Sequence, residues 1–160
     1  MKSLKLMIIP ALLAVSLAAE AYNPVEGVKA QKQEALKYAK KFVTVEQMLQ
    51  WQKEGKAFTI VDVREKGEIL AGHIPYKPTL TIPRGVIYSA VKKGKLKPDE
   101  TYVLVCRTGH RAILASAVLA KYFHFKNAYV LKGGIKSWIQ SGGLIKNALH
   151  LGKVKITLTK

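Results

Sequence analysis

The chain has a single cysteine in 160 residues, Cys106, so it cannot close an internal disulfide. Acidic residues are scarce: 10 Asp and Glu stand against 27 Lys and Arg, for a formal net charge of +17. Such a field attracts anions; a solubility surface spread over all faces accounts for the same charge equally well. No internal repeat and no low-complexity tract is present. The longest apolar run, LMIIPALLAVSLA, is broken by Pro10 and falls short of the ~20 residues a membrane-spanning helix needs. What remains is a chain with 49% hydrophobic and 23% charged residues, of a size to bury one core.

The first residues read as an address label. MKSLK supplies positive charge, the apolar run follows, and Ala19-Glu20-Ala21 offers small residues around a cleavage site. The expectation is a signal peptide over residues 1–21, cleaved after Ala21, with export to the periplasm. The rival is an uncleaved inner-membrane anchor facing the periplasm. In an oxidising compartment an unpaired thiol is a liability. Cys106 is therefore either buried and inert or kept for its reactivity.

Residues 22–40 are rich in Lys, Gln and Ala and lack a strong apolar face, which predicts an exposed helix or tether. Thr44 and Gln47 form a capping box, opening a helix that stops at Gly55. FTIVDVR, residues 58–64, is β-branched and nearly continuously apolar, as a strand buried on both faces should be. A short helix to Ala71, a turn over Gly72-His73-Ile74-Pro75, a short strand LTI and a helix from Gly85 to about Lys93 follow. TYVLV is the next strong strand, AILASAVLAKYF a buried helix, AYVL a strand, and IKSWIQ a helix after the Gly133-Gly134 turn. This alternation predicts an α/β fold, a mostly parallel central sheet with helices on both faces. The basic tail over residues 146–160 contains KVKITLTK, whose alternation predicts an added edge strand guarded by Lys.

The stretch CRTGHR, Cys106 to Arg111, joins TYVLV to the buried helix. It falls at the carboxyl end of a strand, where open parallel sheets carry their sites. Unpaired N–H groups and the dipole of a helix N-terminus favour negative charge, a thiolate included. Gly109 allows the loop to fold back so that its amides form an anion nest. Arg107, His110 and Arg111 add donors for an oxyanion.

Three motifs in order resemble the rhodanese-like sulfurtransferases: DVREKGEILAGHIP (Asp62–Pro75), CRTGHR, and LKGGIKSW (Leu131–Trp138). The resemblance covers roughly Lys41 to Ile145 and implies a single rhodanese-like domain, taken here as residues 41–145. By resemblance, Cys106 takes a sulfane sulfur from a small anionic donor such as thiosulfate, holds it as a persulfide, and passes it to a thiol or cyanide. A protein sulfur acceptor is compatible with the same chemistry. Substrate contacts are expected from Arg107, Thr108, Gly109, His110 and Arg111, and structural support from an ion-pair network of Asp62, Arg64 and Glu68. Arg111 has a second reading, as a structural ion pair with Asp62 as candidate partner, and His110 a second reading as a solvated loop residue. His73 is expected to be a hydrogen-bonded turn residue and Trp138 part of the core.

No cofactor and no nucleic acid is expected. A metal site is not expected either, because Cys106 and His110 lack evident co-ligands. One departure from the family pattern stands out: PYKPTLTIPRG is about two residues longer than usual, and Tyr76, Lys77 and Pro78 are expected to reshape access for the acceptor. Two other readings stay open. A phosphatase or arsenate reductase also uses a loop cysteine and arginine, but with the arginine one residue further away, in a cradle wide enough for a tetrahedral oxyanion. A sulfur carrier or protein-binding module without turnover is the other.

Overall fold

The computed structural model describes residues 23–147 and 153–154. The expected signal peptide and most of the tail lie outside these residues. Five strands form one parallel sheet: β1 (Phe42–Val43), β2 (Thr59–Asp62), β3 (Thr79–Thr81), β4 (Tyr102–Val105) and β5 (Ala128–Leu131). Their order is β1-β5-β4-β2-β3, so β5, β4 and β2 lie inside it, with the fully buried β4 at the centre. Asp62 pairs with both Val105 and Thr81, which aligns the carboxyl ends of three strands along one edge.

Alternation along β4 divides the core. Tyr102, Leu104 and Cys106 belong to the cluster on one face, Val103 and Val105 to the cluster on the other. The first face is covered by α1 (Pro24–Leu36), α4 (Ile87–Lys92) and α5 (His110–Phe123). The second is covered by α2 (Val45–Lys53) and α6 (Gly134–Gln140), through Val45, Met48, Ile135 and Trp138. A short α3 (Lys66–Ala71) buries none of its residues and bridges β2 to the turn before β3. The Thr44–Gln47 capping box opens α2 as expected.

The segment after residue 22 is a helix exposed along most of its length, as expected, with Ala35 and Ala39 at the segment's end buried in the α5 cluster. Two expectations change. The β2 strand is shorter than FTIVDVR because Arg64 leaves the ladder to bind the Asp62 carboxylate. Of the expected edge strand KVKITLTK only β7 (Lys153–Val154) is among the described residues, and it pairs antiparallel with β6 (Ile145–Lys146) in a separate ribbon bridged to His73 rather than with the central sheet. Strand β1 escaped the sequence reading, since two residues carry no periodicity. No helix among the described residues is long and apolar enough to cross a membrane.

Candidate functional site

Cys106 is the first residue beyond β4 and is only 1% exposed. Its Sγ accepts the Gly109 N–H at 3.1 Å, so the loop closes around its own sulfur. The closure needs glycine: Gly109 has φ of +99°, a conformation strained for any side chain. Helix α5 begins at the next residue and runs for 14 residues, so its first-turn N–H groups, which have no partners within the helix, open toward the loop. The arrangement stabilises negative charge on the sulfur or on an atom bonded to it.

Helix α6 holds the loop from the other side. Ile135 N–H donates to Cys106 O at 2.8 Å and Lys136 N–H to Arg107 O at 3.1 Å. A Cβ at Gly134 would overlap Cys106 O and lie 2.8 Å from Arg107 O. The second glycine of Gly133-Gly134 therefore does more than turn the chain; it lets a helix N-terminus seat directly on the Cys106 loop. The sequence reading took this pair as a turn and missed Gly134, Ile135 and Lys136 as neighbours of Cys106. Their signal was the glycine pair ahead of a helix.

Two arginines organise the surroundings, Arg64 with the partners expected and Arg111 with a different one. Asp62 is bound by Arg64: Nη2 donates to Oδ2 at 2.6 Å and Nε to Oδ1 at 2.9 Å. Arg64 also donates to Glu68 O at 3.2 Å and Gly72 O at 2.8 Å, fastening α3 to the end of β2. Arg111 does form an ion pair, but with Glu68, through Nη1 to Oε2 at 2.6 Å and Nη2 to Oε1 at 2.7 Å. Asp62 is saturated two residues away in sequence by Arg64, which leaves Glu68 as the acceptor. The Arg111 fork holds the Glu68 carboxyl at about 2, far below its ordinary value, with the Glu65 amide helping. Glu68 in turn raises Arg111, to which the Cys106 sulfur also contributes.

Arg107 and Thr108 are exposed. They line a cleft of about 630 Å³ with Arg64, Glu68, Ile135, Lys136 and Ile139. His110 is half-buried at the start of α5, and burial, with the charges of Lys32 and Arg84, lowers its pKa. That disfavours the cationic form that an anion donor would use. His73 is the turn residue expected, its amide bound to Lys146 O at 2.9 Å, and Trp138 is core with its Nε1–H donating to Leu144 O at 3.0 Å.

Tyr76, Lys77 and Pro78 do not border Cys106. Thr79 pairs with Ile60, so the residues before it lie at the amino end of β3, while Cys106 is at the carboxyl edge of the sheet. Tyr76 stacks on Phe58 at 4.6 Å, at the start of β2. The segment that does return to the site edge is the one after β3, where Arg84 N–H donates to Val63 O at 3.0 Å.

Comparison with known proteins agrees with this geometry. The chain is 34% identical over 96 residues to the probable adenylyltransferase/sulfurtransferase MoeZ of Mycobacterium tuberculosis, covering 60% of this chain. It spans only 24% of that relative's length. A Rhodopseudomonas palustris protein of unknown function, a possible tyrosine phosphatase, superposes with a TM-score of 0.65 at 27% identity, over 79% of this chain and 98% of that one. A rhodanese-related protein of Thermoplasma volcanium shares the fold, with a TM-score of 0.52 at 24% identity over 66% of this chain and 97% of its own. The Rhodanese-like domain matches residues 44–141, more than half of the sequence, and the chain belongs to that family.

Proposed function

We propose that this protein is a sulfurtransferase that loads a sulfane sulfur onto Cys106 from thiosulfate or a similar small anion and passes it to a thiol. The observation that carries the reading is the Cys106 sulfur enclosed by a six-residue loop, bound by the Gly109 amide at the start of α5. In the first half-reaction the thiolate attacks the outer sulfur of thiosulfate, the S–S bond of the donor breaks, and sulfite leaves with its electron pair. The new outer sulfur extends ~2 Å beyond Sγ, into reach of the loop amides. In the second, an acceptor thiolate or cyanide attacks that outer sulfur and returns Cys106 as thiolate. Two half-reactions sharing one covalent intermediate give ping-pong kinetics.

The phosphatase alternative is disfavoured by two features. Only four residues separate Cys106 from Arg111, and the Arg111 fork is already occupied by both oxygens of Glu68. Arg107 and Thr108, exposed beside the cleft, are the residues assigned to the incoming donor.

Intact mass after thiosulfate treatment tests the reading. The wild type should gain one sulfur atom that cyanide or dithiothreitol removes, and Cys106→Ser should gain none and turn over no thiosulfate while keeping its fold. A wild type that takes up no sulfur would reject the reading. Export is the matching proposal for location. N-terminal sequencing should find Tyr22 first in a periplasmic fraction, and Met1 in membranes would indicate an anchor.

A further inference from the structure

Four cations from four separate segments lie close to the Cys106–Arg111 loop: Arg107 and Lys136 line one cleft, and Lys32 and Arg84 act on His110. Arg107 in the loop and Lys136 on α6 line the same cleft, and the Lys136 amide is bonded to Arg107 O. Across the loop, Arg84 follows β3 and is held at the carboxyl edge by Val63, whose own amide donates to Val105 O beside Cys106. Lys32, on α1, completes the group, and both Lys32 and Arg84 act electrostatically on His110 at the first turn of α5. All four side chains are exposed. Among the described residues none of the four is in an ion pair, and the nearby carboxylates Asp62 and Glu68 are taken by Arg64 and Arg111.

Clustered like charges repel one another, so an uncompensated ring gains nothing for the fold by itself. A five-atom donor such as thiosulfate does not need it. The donor is assigned to Arg107 and Thr108, which leaves Lys32 and Arg84 beside His110 without a role toward it; a macromolecular surface laid over the loop gives them one.

We infer that the acceptor is a protein presenting its thiol on an acidic surface, and that Lys32, Arg84 and Lys136 dock that surface over the loaded loop. The inference rests on the sulfurtransferase reading above. In the transfer the acceptor thiolate attacks the outer sulfur of the Cys106 persulfide, the S–S bond breaks, and its electron pair returns to Sγ. One thiolate is consumed and one regenerated, so no outside oxidant or reductant is required. Charge complementarity of this kind acts chiefly on the rate of encounter.

The test uses the full chain, preloaded with thiosulfate and checked by intact mass, and two synthetic single-cysteine peptides. One carries glutamates on both sides of the cysteine and the other glutamines. Transfer to the glutamate peptide should have a kcat/KM about tenfold higher at low ionic strength, with the gap closing as salt shortens the screening length. The double variant Lys32→Gln, Arg84→Gln should close most of the gap without salt, while transfer from the preloaded protein to the glutamine peptide stays at the wild-type rate. Equal rates for both peptides with a fully loaded wild type would overturn the inference and leave the sulfurtransferase reading intact. An undiminished preference in the double variant would equally overturn it, by removing these residues from the docking surface. A chain that does not load at all would instead reject the underlying reaction, and this inference with it.

Discussion

Arg64 and Arg111 reach the same small helix, α3, from two sides, yet they serve different ends. Arg64 is buried at 5%, its Asp62 partner at 3%, and its remaining donors are spent on backbone carbonyls of Glu68 and Gly72. Arg111 and Glu68 keep 30% and 36% of their side chains exposed and face each other in a closed fork, with the Glu65 amide also donating to Glu68. A buried ion pair is costly to break because the surviving charge is left without water or partner. A half-exposed one is cheap to break, since solvent replaces the lost partner. The buried pair therefore governs whether the β2–α3 corner forms. The exposed pair governs where Arg111 sits beside Cys106, with the fold already in place.

Breaking the buried pair should give the largest effect. Arg64→Ala strands the Asp62 carboxylate and two carbonyls, and should cost about 3–5 kcal/mol in urea unfolding. Sulfur loading should fail with it, and a loss near 1 kcal/mol would show that the two pairs are not different in kind.

Glu68→Gln should cost only about 1 kcal/mol at neutral pH. Its signature is the pH dependence. Glu68 is held at about 2, below the ordinary value of 4.5, so the wild type's advantage is complete above about 4.5 and is lost as pH falls toward 2. Thermal melts across that range should show the two proteins converging; a gap that is constant with pH would remove the ion pair as its cause.

Arg111→Lys keeps the charge but not the fork, and should lower the melting temperature less than Glu68→Gln does. Because it also changes what stands next to the sulfur, its loading rate should fall more than its stability. Stopped-flow loading beside melts separates the two, and proportionate losses would return Arg111 to a purely structural role.

The smallest effect on stability is expected from Arg107→Ala, within about 0.5 kcal/mol, since the residue is exposed and outside any ion pair. Its effect should appear as a higher KM for thiosulfate that shrinks with added salt. An unchanged KM would assign the charge to the acceptor side alone.

The strand TYVLV, the glycine in CRTGHR and the apolar helix that follows are local signals, and together they placed Cys106 at a strand-to-helix turn correctly. The α1 segment shows where such signals stop: its weak apolar face is made of alanines, whose value for close packing depends on a partner helix not adjacent in sequence. The partner of Arg111 was hidden for a related reason. Asp62 and Glu68 are both acidic and both near β2, and only the side-chain geometry of Arg64 decides which of them is left free. Tyr76–Pro78 were misplaced because a family pattern records length and not the edge of the sheet at which a loop emerges.

Three things about this protein follow from the sequence by itself: a parallel α/β sheet, one cysteine at the mouth of a helix, and an excess of positive charge. Each depends on neighbours along the chain or on composition, which need no folding to be read. The tertiary structure decided that α6 seats on the Cys106 loop through Gly134, that Glu68 holds Arg111, that Arg107 and Lys136 line one cleft, and that Lys32 and Arg84 act on His110. Those contacts join residues far apart in sequence. They exist only because β2, β4 and β5 are packed side by side, and backbone pairing across a sheet sets distances that no local pattern encodes.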